Sequence, residues 1–84
     1  MMNFKQEEVL NNIITKLQEK FPEVRLVNIQ ELRSNMFWVT LIEPDDEDRQ
    51  IELEELQGEL ATDALMDYGF SFRFVPASLK KVAA

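Results

Sequence analysis

The chain has 84 residues and a net charge of −7, from nine Lys and Arg against sixteen Asp and Glu. It contains no cysteine and no histidine, which excludes disulfides, thiolate zinc sites, thiol catalysis and the usual proton shuttle near neutral pH. A chain of this length forms one domain, which excludes a deep pocket between two domains. Its apolar content of 45% is typical of a folded protein.

The first predicted element is a helix over about residues 4–20. Apolar side chains recur along it at helical spacing and form one stripe, which we expect to lie in the core. The stripe comprises Leu10, Ile13, Ile14, Leu17 and Phe21. Asn3 and Gln6 have the spacing of a capping box, and Pro22 ends the helix because the residue before a proline avoids the α region.

Two extended segments follow, at residues 24–30 and 36–42, and both are rich in residues that favour strands. The linker between them is of hairpin length, and Ser34 and Asn35 suit a turn, so we predict an antiparallel pair. Alternation along the second strand places apolar residues on both of its faces, as expected for a strand covered on both sides. One face carries Phe37, Val39 and Leu41, and the other carries Met36, Trp38 and Ile42.

A second helix is predicted from near residue 46 to residue 68, with Asp45 as its N-cap and Gly69 just after its end. Ile51 does not fit, because it projects to the side opposite the leucines. Residues 45–52 could instead form the return arm of a second hairpin, since residues 51–54 alternate like a strand. The residues predicted to share the core-facing side of the helix are Leu53, Leu56, Leu60, Ala61, Ala64 and Tyr68.

The last predicted strand covers residues 70–75, where three phenylalanines alternate on one face and a proline follows. Residues 77–84 are expected to form a short turn or a frayed tail. A single domain is therefore predicted over residues 1–76.

The order α-β-β-α-β predicts an α+β fold. A strand, helix and strand in one sheet prefer a parallel crossover, so we expect a mixed three-stranded sheet with both helices on one face. This two-layer sandwich would leave the second sheet face uncovered, with either Phe37 or Trp38 and its neighbours exposed there.

The charge is distributed unevenly along the chain. The segment from Glu43 to Asp67 holds eleven acids and one base, a net −10, whereas the remainder holds five acids and eight bases, a net +3. A solvated, solubilising helix face is one interpretation. An acidic docking surface for a basic partner is another, and the residues that would form it are Glu52, Glu55, Glu59 and Asp63.

The run of acids at residues 45–48 suggests a metal site, since oxygen ligands suit Ca²⁺ or Mg²⁺. A calcium-binding loop requires Gly at its sixth position and Glu at its twelfth. Counting from Asp46, those positions hold Ile51 and Gln57. The pattern fails, and no metal or cofactor is predicted.

Two family resemblances concern the order of elements. The opening helix, residues 20–24 and the strand after them resemble BolA-like proteins. The chain lacks that family's His and its basic helix-turn segment, so metal-cluster and nucleic-acid roles do not carry over. The strand ending at residues 43–46, the acidic helix and Gly69 resemble minimal nucleotidyltransferases. That resemblance implies a Gly-Ser turn and an Asp-x-Asp metal pair within residues 28–42, where this chain has no Asp, so it implies an inactive remnant.

We therefore predict a small non-enzymatic interaction or regulatory domain that buries its open sheet face against a partner, most simply a second copy of itself. The residues expected at that contact are Met36, Trp38 and Ile42. One alternative is an acidic inhibitor or nucleic-acid mimic of a DNA-binding protein, and another is the inactive nucleotidyltransferase-like remnant. Direct nucleic-acid binding and membrane insertion are not predicted, and a cytoplasmic location is expected.

Overall fold

The computed structural model describes residues 2–77 and confirms the predicted α+β fold. Its elements are α1 (Phe4–Lys20), β1 (Arg25–Arg33), β2 (Met36–Ile42), α2 (Glu47–Tyr68) and β3 (Ser71–Pro76). The sheet has the order β1-β2-β3, with β1 antiparallel and β3 parallel to the central strand β2. The predicted tail lies outside the described residues except for Ala77, and the domain boundary at residue 76 stays a prediction.

Helix α1 begins at the predicted capping box. The Gln6 backbone N–H donates to Asn3 Oδ1 over 2.8 Å, and the Asn3 backbone N–H donates to Gln6 Oε1 over 3.0 Å. These two bonds satisfy backbone donors that the first helical turn would otherwise leave unpaired. The predicted apolar stripe of α1 is buried along its whole length.

Asn35 connects the hairpin turn to two other elements. Its backbone has φ 66°, in the left-handed region that Asn tolerates better than most residues. Its Oδ1 accepts a hydrogen bond from Gln6 Nε2 over 2.7 Å, and its backbone carbonyl accepts one from the Ser71 N–H over 2.7 Å. The turn is thereby joined both to the start of α1 and to the start of β3.

Strand β1 is longer and less regular than predicted. It runs to Arg33, so that the turn consists of Ser34 and Asn35 alone. Its register with β2 shifts between Leu26 and Asn28 and again between Glu31 and Arg33. Such irregularities are common on edge strands, where they interrupt the row of unpaired backbone groups.

Helix α2 includes the segment for which a strand was an alternative. Asp46, one residue later than predicted, is the N-cap, and its Oδ2 accepts a hydrogen bond from the Arg49 backbone N–H over 3.1 Å. The prediction of Asp45 as the cap was therefore wrong, as was the hairpin alternative for residues 45–52. Gly69 ends the helix in the left-handed conformation, as predicted. Ile51 is exposed on the outer side of α2.

The core lies between the helices and one face of the sheet. Phe37 is only 1% exposed, and its ring stacks on that of Phe72 with centroids 5.5 Å apart. Leu53 of α2 is fully buried against the same cluster. Tyr68 was predicted to face the core but is half exposed, and its ring stacks on that of Phe70, which packs against the core cluster.

The two glycines occupy contrasting positions. Gly58 lies inside α2 with no atom within 4 Å of the place where a Cβ would stand, whereas Gly69 has φ 75°. We expect Gly58→Ala to stabilise the fold by about 0.5–1 kcal/mol, since alanine favours a helix interior. Gly69→Ala should destabilise it by about 1 kcal/mol or more, since φ is positive there. Urea unfolding measures both, and equal effects of the two variants would contradict the assignment.

The Gln6 side chain should contribute measurably to stability because it is buried and bonded both to the cap and to Asn35. Gln6→Ala should lower the free energy of unfolding by about 1–2 kcal/mol, since it removes two hydrogen bonds and leaves their partners without them. Asn12→Ala, at an exposed position of the same helix, is the matched control and should change stability by less than about 0.5 kcal/mol. Similar losses in the two variants would disprove the role of Gln6.

Candidate interaction surface

The predicted contact residues share the sheet face that the helices leave uncovered. Met36, Trp38 and Ile42 are 38%, 43% and 47% exposed, whereas their immediate neighbours Phe37 and Leu41 are buried on the helix side. Side chains alternate between the two faces of a strand, so the three lie in one row along β2. The sequence left open whether Phe37 or Trp38 would be exposed, and the structure exposes Trp38.

The flanking strands supply polar and basic neighbours to this row. In register, Trp38 lies between Gln30 of β1 and Arg73 of β3. Met36 lies next to Arg33, and Arg25 lies beside Ile42 at the other end. The open face therefore consists of the exposed Met36, Trp38 and Ile42, with the buried Thr40 between the last two, and arginines lie beside this row. No carboxylate of the described residues is paired in register with an outward-facing residue of β2.

Two of these arginines have no ionic partner in the part of the chain that the structure describes. Its ion pairs are Lys5 with Glu8 and Arg49 with Glu23, at 2.9 and 2.6 Å. Arg33 and Arg73 take part in neither.

Arg25 differs from the other two because its guanidinium bonds back to its own loop. Its Nη1 donates to the carbonyl oxygens of Pro22 and Val24 over 2.6 and 2.9 Å. Arg33 and Arg73 are therefore the cations of the open face that remain available to a partner.

At its Ile42 end the open face continues into a groove. Val27, which lies at the first register shift of β1, lines this groove together with Ile42 and Pro44. Gln50 closes its side, and its Nε2 donates to the Pro44 carbonyl over 2.7 Å. The β1 irregularity thus enlarges the exposed apolar area beyond the three predicted residues.

The predicted acidic residues lie on the other layer, on the outer side of α2. All four are exposed and fall along one side of the helix: Glu52, Glu55, Glu59 and Asp63. None belongs to an ion pair among residues 2–77. Arg49, the base within the acidic segment, is held by Glu23 and lies with its guanidinium carbon 5.1 Å from the Phe21 ring centroid. Arg49 therefore does not neutralise these four carboxylates.

A small polar cluster lies at the end of β2, where Glu43 meets α2. Partial burial raises the pKa of the Glu43 carboxyl, the Gln57 amide offsets part of that increase, and the Glu54 carboxylate adds to it. Gln57 is buried, and its Nε2 is outside hydrogen-bonding geometry with any atom of the described residues. Within residues 2–77, no three acidic side chains are grouped so that they could hold a metal ion.

Arg33 and Arg73 were not among the predicted site residues. The signal for Arg73 was present, because it alternates with Phe72 and Phe74, whose side chains face the core. Its position beside Trp38 depends on the parallel register of β3, which alternation does not determine. Arg33 lies beyond a register shift of β1, where simple alternation fails.

Comparison with protein-family models gives no match, and comparisons with curated proteins and with solved structures give no significant match. Among the described helices, none is long and apolar enough to cross a membrane.

The raised pKa of Glu43 predicts a pH dependence. Folding disfavours the ionised form, so this residue favours the fold most below the unfolded pKa of about 4.3, and that contribution is lost as the pH rises through the higher folded value. Glu43→Gln should therefore raise the free energy of unfolding at pH 7 and change it little at pH 3.5. Urea unfolding at both pH values measures this, with the exposed Glu59→Gln as control. A Glu43→Gln effect that is the same at both would contradict the prediction.

Proposed function

We propose that this chain is a small non-enzymatic interaction domain that self-associates through its open sheet face. The observation that carries the proposal is Trp38, 43% exposed at the centre of the central strand. Tryptophan is among the residues most enriched at binding hot spots, and contiguous exposed apolar area marks association surfaces. The proposal includes a cytoplasmic location, where a chain without cysteine loses no disulfide to the reducing environment.

The surroundings of Trp38 support a contact surface. Met36 extends the apolar area along β2 on one side of Trp38, while Ile42 lies beyond the buried Thr40 and shares a groove with Val27. Arginine is also enriched at interfaces, and Arg73 lies next to Trp38. An apolar centre with a charged rim is the arrangement expected of an interface that forms between folded proteins.

The test compares two adjacent residues with opposite environments. Trp38→Ala should weaken self-association at least about tenfold while changing the unfolding free energy little, because the indole contributes mainly to the contact. Phe37→Ala should lower the unfolding free energy by about 3–5 kcal/mol, because Phe37 fills the core. Sedimentation velocity across micromolar concentrations and urea unfolding give the two readouts.

Two outcomes would count against the proposal. A wild-type chain that is strictly monomeric over that concentration range would remove self-association. A Trp38→Ala variant that unfolds as readily as Phe37→Ala would place the indole in the structural core instead of the contact.

A further inference from the structure

We infer that the open sheet face of one copy docks on the acidic outer side of α2 of a second copy, so that the chain assembles head to tail. This inference rests on the proposed function and specifies the surface that Trp38 meets. Two candidate partner surfaces exist on a second copy: its own open sheet face, or the outer side of its α2. Charge and shape both favour the helix.

The arginines of the open face disfavour a contact between two sheet faces. If two sheet faces met, Arg33 and Arg73 of one copy would approach the same two cations of the other, with no register-paired carboxylate on either face. Like charges brought together at an interface are unfavourable. The outer side of α2 instead offers the exposed carboxylates of Glu52, Glu55 and Glu59, which form no ion pair within the described residues.

The middle of α2 carries a recess on its outer side. Gly58, Glu59, Thr62 and Asp63 line a shallow depression on the outer side of the helix. Glycine lowers helix stability, yet Gly58 has no positive φ, and no atom lies near its missing Cβ. Nothing within the described fold requires glycine there. A close approach from outside would require it, and a protruding indole is a side chain that such a recess could receive.

Apolar anchors flank this depression along the helix. Ile51 lies two turns before Gly58 and Met66 about two turns after it, and both are exposed. They lie on the same outward side of α2, since residues spaced by three or four share a helix face. The helix therefore presents apolar ends, a small-residue centre and acidic flanks. The sheet face presents the complement, an apolar row with Trp38 at its centre and arginines at its edges.

The dimensions of the molecule suit such a contact. It measures 32 × 29 × 16 Å along its principal axes, so each layer of the sandwich has a broad outer face. A stable interface typically covers about 800 Å² on each partner, which a face of this breadth can supply. Because the two surfaces differ, the contact does not close after two copies, and assemblies should grow with concentration.

The experiment uses two variants that each block one surface. The sheet variant is Trp38→Ala with Arg73→Ala, and the helix variant is Glu52→Lys with Glu55→Lys and Glu59→Lys. Each variant alone should associate at least about tenfold more weakly than wild type, since each lacks one half of the contact. An equimolar mixture should form a 1:1 heterodimer and grow no further, because only one complementary pair of surfaces remains. Native mass spectrometry distinguishes the heterodimer by mass.

The possible results separate this inference from the proposed function. If the sheet variant loses association, the helix variant associates like wild type and the mixture forms no heterodimer, the head-to-tail contact is overturned. The sheet-face function would still stand in that case. A monomeric wild type would overturn both, as would two variants that assemble like wild type. Circular dichroism checks that each variant folds. If the helix variant fails to fold, Thr62→Arg, which fills the depression, replaces it and should weaken association equally.

Discussion

The central strand β2 imposes the constraint on which the rest of the structure depends. It is apolar on both faces, and both helices pack on the same one, the face that carries Phe37. Phe37 and Trp38 therefore have opposite environments although they are adjacent in sequence. The helices stabilise the fold through the Phe37 side, and the Trp38 side is left as exposed area whose burial by another molecule would be favourable.

The same two-layer arrangement separates the charges. The sheet layer presents Arg33 and Arg73, and the helix layer presents carboxylates of α2 that form no ion pair within residues 2–77. The net charge of −7 conceals this division, because it averages two surfaces of opposite sign. Two copies that approach with the same face towards each other bring like charges together and repel. Two copies that approach with different faces bring opposite charges together and attract. Orientation, more than affinity, is what such a distribution controls.

Much of the fold could be predicted from local chemistry. The capping box at Asn3 and Gln6, the glycine at position 69 and the bounds of α1 and β2 follow from interactions within a few residues, which a sequence displays directly. The N-cap was predicted one residue too early, because Asp45 and Asp46 have the same propensity for the N-cap position. The path of the loop before the helix determines which of the two caps it. Tyr68 was misplaced because helical projection does not show where the sheet beneath the helix ends. The arginines beside Trp38 depend on strand register, which is a property of the whole sheet.

The parallel pairing of β3 with β2 also has a kinetic consequence. The hairpin of β1 and β2 can form early, since a two-residue turn joins its strands. β3 can join only after the whole of α2 has been placed between it and β2, and contacts between distant segments form slowly. Until then one edge of β2 has no partner for its backbone N–H and C=O groups. The strand that carries Trp38 therefore has an open edge, through which chains can aggregate, while the protein folds.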